Sequence, residues 1–80
     1  MKRIRFSRHA RRRMEQRGFS RNEVEAILQH PERVEPSLRG RQNAFGAVPG
    51  GIARVTFRET PEELVVVTVV RQRKAGEVRS

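Results

Sequence analysis

One histidine and two arginines near the start of the chain stand at matched intervals: His9, Arg13 and Arg17. At about 100° per residue, the spacing i, i+4, i+8 places all three on one stripe of a helix. A neutral imidazole can accept the proton of a ribose 2′-hydroxyl. Guanidinium groups bind phosphate bidentately and stabilise the charge that builds in a transition state. The trio is therefore a workable site for RNA transesterification, a chemistry that requires no metal. The same residues also have a structural reading. His9 near a helix start can bond to backbone, and Arg13 and Arg17 can pair with glutamates of a neighbouring helix. Arg17 beside Gly18 can also complement the helix dipole.

The charge around the trio favours a polyanion. The 80 residues carry 18 Lys+Arg against 9 Asp+Glu, a formal net charge of +9, and every acid is a glutamate. Residues 1–21 hold nine cations and one acid, Glu15, while the remainder is close to neutral. A basic stripe on one element is the electrostatic footprint of a nucleic-acid binder. Arg8, Arg11 and Arg12 join the stripe as expected RNA contacts, with Arg54, Arg71 and Arg73 added from later strands. Arg71 and Arg73 are either cleft residues or a soluble strand end. An acidic protein surface is the competing partner.

Composition removes several other chemistries. The absence of Cys excludes a disulfide framework, a thiolate metal site and a Cys nucleophile. With only two His and no Asp, no metal or cofactor is expected. His30 precedes Pro31 at a helix end and reads as structural. Gly50-Gly51 is a turn and not a phosphate loop, because no helix follows it. The longest apolar run, residues 65–70, is far shorter than the ~20 residues of a membrane span. No apolar stretch follows the basic start, so a cytoplasmic location is expected.

The length sets one small domain over residues 1–80 with a marginal core. Residues 2–6 read as an extended lead-in. Ser7 is placed to cap a helix that runs to about Arg17, where Gly18 stops it. Ser20-x-x-Glu23 opens a second helix with a capping box, Val24, Ile27 and Leu28 form its apolar stripe, and Pro31 ends it. Beyond Pro31 the pattern changes to period two. A two-residue turn at Arg39-Gly40, a three-residue turn at 49–51 and a loop at 59–63 divide four strands, roughly 33–38, 41–48, 52–58 and 64–72. Simple hairpin closure aligns Val34, Phe45, Val55 and Val67 in one cross-sheet row. The expected fold is α+β, with two N-terminal helices on one face of a four-stranded antiparallel sheet. The other face would expose Leu64, Val66 and Val70 beside Arg54, Thr56 and Thr68. Such a patch usually meets a partner, either a second copy or a helix of another protein.

The segment His9-Ala10-x-x-Arg13-Met14-x-x-Arg17-Gly18 is followed by Phe19-Ser20 and an acidic amphipathic helix ending near Pro31. It resembles a family of small prokaryotic domains of unknown function that carry H-A-x-x-R-M-x-x-R-G-[IF]-S and end in a Val-rich strand. The likeness covers residues 6–31 closely and 64–71 loosely. That family has been grouped with the RelE/ParE-like toxins and the wider barnase-like ribonuclease assemblage. The resemblance implies the same two-helix, four-stranded antiparallel layout. It also implies a metal-independent ribonuclease or toxin activity using His9, Arg13 and Arg17, with an antitoxin-like protein as a partner. The chain departs from some RelE-type enzymes in lacking Tyr and an acidic residue at an obvious cleft position. A non-catalytic nucleic-acid-binding module and a protein-interaction component of a toxin–antitoxin-like system are the competing function classes.

Overall fold

The computed structural model describes residues 2–72, and its first helix begins at the expected cap. The Ser7 hydroxyl accepts from the Ala10 N–H at 3.0 Å and opens α1 (Arg8–Arg17). Gly18 ends α1 at φ 74°, a left-handed conformation that costs a residue with a β-carbon roughly 1–2 kcal/mol. Ser20 and Glu23 satisfy each other's backbone N–H groups, at 2.8 and 3.1 Å, in the capping box of α2 (Arg21–Gln29). Among the described residues, no helix is long and apolar enough to cross a membrane.

Beyond Pro31 run β2 (Arg33–Pro36), β3 (Gln42–Val48), β4 (Gly51–Glu59) and β5 (Glu63–Gln72), paired as an antiparallel meander. The expected four-stranded antiparallel sheet is nevertheless wrong at one edge. The supposed lead-in forms β1 (Arg3–Phe6), which pairs in parallel with β5. The result is a five-stranded mixed sheet of order β1-β5-β4-β3-β2 in an α+β fold. Arg3-Ile4-Arg5-Phe6 alternates as a strand must, with Ile4 and Phe6 turned to the core. Its partner lies far along the chain and no hairpin turn joins the two, so nothing local announces the pairing.

The expected cross-sheet row is also displaced, for identifiable reasons. Arg39 and Gly40 make the two-residue turn, at φ 59° and 73°, with Arg41 N–H donating to the Leu38 carbonyl. Ser37 then intrudes as an extra residue, its N–H donating to the Arg41 carbonyl at 2.8 Å, so Val34 faces Ala44 and not Phe45. The next turn needs only Pro49-Gly50, because Val48 pairs with Gly51, and this sets Ala44 opposite Val55. In β5, Phe57 faces Val66 while Thr56 faces Thr68, leaving Val67 as a bulge. The row actually formed is Val34, Ala44, Val55 and Val69.

The bulge decides which face of β5 meets the helices. Leu64 and Val66 point to the helices before it and Val69 after it, so Thr68 is kept out of the core. Leu64 and Val66 therefore do not form the exposed patch expected of them. Val66 is fully buried, and only Val70 of the three belongs to the open face. That face instead carries Phe45 under Arg33, at 4.3 Å from ring centroid to guanidinium, and Val65 between its register partners Arg5 and Arg58. On the covered face α2 sits close against the sheet. A β-carbon on Gly46 would lie 2.7 Å from Ile27 Cγ1, so that position must stay bare.

Ser7 ties α1 to the bulge. Its backbone N–H donates to the Val66 carbonyl at 3.0 Å, and its hydroxyl donates to the Val67 carbonyl at 3.3 Å while accepting from Ala10. Ser7→Ala removes a helix cap and a bulge contact together. Denaturant unfolding should show a loss of about 1–2 kcal/mol, the upper part of the range for caps. A loss of only a few tenths would mean the hydroxyl bonds contribute nothing beyond water.

Candidate nucleic-acid interface

The orientation of α1 follows from its two buried residues, Ala10 and Met14, which are its contribution to the core. With that stripe fixed inward, His9, Arg13 and Arg17 run along one flank and Arg11 and Glu15 along the other. Arg8 and Arg12 point outward, and Arg8, His9, Arg11, Arg12 and Arg17 are all exposed. Arg13, at the edge of the core, is half-buried. Its Nε donates to His9 Nε2 at 3.4 Å, a long hydrogen bond that needs a free lone pair on that nitrogen. The structure thus brings His9 and Arg13 together. Arg17 lies one turn further along the same flank without a hydrogen bond or ion pair among the described residues.

The glutamates of α2, the neighbouring helix, are engaged elsewhere. Glu23 closes the capping box, and Glu25 pairs with Arg21 at 3.2 Å. The remaining ion pairs among the described residues are Lys2–Glu59, Arg5–Glu63 and Arg33–Glu35. None includes Arg8, Arg11, Arg12, Arg13 or Arg17, so five guanidinium groups on one helix stand without a carboxylate partner among the described residues. No acid occupies the first turn of α1, and Arg17 stands in its last turn, where a cation favours the dipole.

The strand arginines expected beside the stripe divide between two places. Arg71 comes over the Phe19 ring at 4.9 Å, next to the end of α1. Arg54 lies on the open face of the sheet, opposite the helices, between its register partners Phe45 and Val70. Its Nε is buried without a hydrogen-bond partner. Arg73 lies outside the described residues. His30 ends α2, its N–H donating to the Ala26 carbonyl at 3.0 Å.

Two hollows flank the helices. One, of about 400 Å³, lies between α2 and β3 and is lined by His30 and by Glu23 and Glu32, two carboxylates that repel a polyanion. The other, of about 500 Å³, opens against the basic helix and is lined by Phe6, Arg11, Met14, Glu15, Phe19 and Arg21. Of these only Arg11 is among the expected contacts. The available signal was the aromatic residue immediately before each helix cap, Phe6 before Ser7 and Phe19 before Ser20. Among the described residues no three His or Glu side chains converge to hold a metal ion.

A family model described as a domain of unknown function (DUF4258) matches residues 6–71, from the end of β1 to the end of β5. No curated protein and no solved structure matches the chain.

Proposed function

This chain belongs to the DUF4258 family, and from its unneutralised basic helix we propose that it is an RNA-directed domain of the RelE-like, metal-independent ribonuclease type. The observation that carries the proposal is the set of five α1 arginines with no carboxylate partner among the described residues, beside an imidazole that accepts from one of them. A helix with that density of like charge repels itself unless a polyanion neutralises it.

In the proposed reaction, Arg13 and Arg17 hold a phosphodiester beside His9. His9 Nε2 takes the proton of the ribose 2′-hydroxyl, and the 2′-oxygen bonds to phosphorus. The bond from phosphorus to the 5′-oxygen breaks, and that oxygen leaves with a proton returned by His9 or by water. The products are a 2′,3′-cyclic phosphate and a 5′-hydroxyl. A phosphate between them would replace the Arg13–His9 bond and free Nε2 for this work. A non-catalytic binding module is the second reading. It is favoured by the single imidazole on the stripe, whose only hydrogen-bond partner among the described residues is Arg13.

Binding to single-stranded RNA should fall steeply with salt. Five phosphate contacts give a slope of about −3.5 in log K against log salt, from counterion release. Replacing Arg11, Arg12 and Arg13 together by Gln should reduce that slope by about 2 and weaken all sequences alike. A flat salt dependence, or an unchanged slope in the triple variant, would remove α1 as the RNA-binding element.

A further inference from the structure

Glu15 is the one acid among residues 1–21, and it occupies an improbable place for a structural carboxylate. It lies one turn from Arg11 and lines the same hollow as Arg11 and Arg21, yet it makes no ion pair or hydrogen bond among the described residues. A carboxylate on a phosphate-binding helix weakens binding to backbone, so it needs another use. The hollow suggests one. Its floor is apolar, made by Phe6, Met14 and Phe19, all buried in the core. Its rim includes the Arg21 guanidinium, which lies 5.1 Å over the centre of the Phe6 ring and donates through Nε to Glu25 at 3.2 Å. That is a pre-oriented plane of the kind on which unpaired RNA bases stack. The volume of about 500 Å³ falls within the range of small-molecule sites, roughly 300–1,000 Å³.

We propose that this hollow seats one unstacked guanine of the RNA, with Glu15 reading its Watson–Crick edge and Arg11 holding the adjacent phosphate. The inference rests on the RNA-directed reading and adds a base preference to it. The choice of guanine follows from donors and acceptors. An ionised carboxylate only accepts, through two oxygens side by side. Guanine offers two adjacent donors, N1–H and the 2-amino group, which match that pair. Adenine and cytosine each place a ring acceptor next to their amino group, which opposes a carboxylate. Uracil has one ring donor between two carbonyl acceptors.

The test uses the full chain and short 2′-O-methyl oligouridines, which lack the nucleophile and so remain uncleaved. Each carries one guanine, one inosine or one adenine. Wild type should bind the guanine oligomer tightest, by roughly 5- to 100-fold over adenine, as for a good bidentate base contact. Inosine, which lacks the 2-amino group, should fall between. Glu15→Gln should erase this ranking while keeping the salt slope and, because Glu15 is exposed, the melting temperature. Equal affinity for the three oligomers, or a ranking that survives Glu15→Gln, overturns the guanine site. Equal affinity with a steep salt slope would leave the RNA-directed reading standing. No binding of any oligomer would remove both.

Discussion

RNA cleavage by His9→Ala should fall ~10²–10⁴-fold below wild type, the usual contribution of a proton-transfer group, while its melting temperature is unchanged. The separation of the two readouts follows from the position of the imidazole. His9 is exposed, and its only hydrogen-bond partner among the described residues is the Arg13 Nε at 3.4 Å, so its removal leaves no buried group unsatisfied. RNA affinity should hardly move, because the arginines carry the electrostatic term. Arg13→Ala should behave differently and lower affinity and cleavage together, since a guanidinium on the phosphate acts in ground state and transition state alike. Both quantities are measured on one sample of each variant. A lower melting temperature for His9→Ala, with cleavage preserved per folded molecule, would return His9 to a structural role. If wild type itself cleaves no RNA, the catalytic reading fails and the binding module remains.

The second large effect concerns stability. Val66→Lys should yield a chain without a cooperative unfolding transition. Strict alternation back from Val69, which faces the helices, would make Val66 a surface residue, which a lysine would suit. The structure instead places it fully buried in the core with Phe6 and Val69, while its carbonyl accepts from Ser7. An ammonium group there, with no partner, costs several kcal/mol even after relaxation. A domain this small has about 5 kcal/mol or little more to lose. Val70→Lys is the matched control. Val70 is on the open face, so that variant should fold with a change within about 1 kcal/mol. Cooperative melting of Val66→Lys near the wild-type temperature would mean that β5 carries no bulge.

These two experiments also mark where the sequence was readable. Helix boundaries were, because each depends on a few adjacent residues: Ser7 with Ala10, Ser20 with Glu23, Gly18 alone. The His9–Arg13 contact was readable for the same reason, as a one-turn separation on a helix. Strand registers were not. Each depends on whether one residue is skipped, and Ser37 and Val67 look like ordinary strand residues until both partner strands are known. A change of one residue exchanges the two faces. The extra Ser37 and the shorter turn at Pro49-Gly50 put Phe45 on the open face. Closure of the β4–β5 loop at Glu59 and Leu64 puts Val66 on the helix face ahead of the bulge. The hollow around Glu15 was hidden for a different reason. Its lining comes from β1, α1, Phe19 and the start of α2, and no spacing in the sequence predicts that convergence.

The parallel pairing of β1 with β5 has a consequence in time. Arg3 meets Glu63 and Phe6 meets Val66, partners sixty positions apart, and α1 is anchored to the Val66 and Val67 carbonyls through Ser7. Such a contact forms only after a long chain segment has been brought round, and contacts of this kind slow folding. On a ribosome the basic helix is made early, but the strand that orients it is made late. Until β5 emerges, α1 is a short, highly charged segment below the length at which isolated helices are stable. The arginines therefore acquire a common geometry only when β5 docks, and on the reading proposed above the nascent chain carries no finished RNA-binding surface before that point.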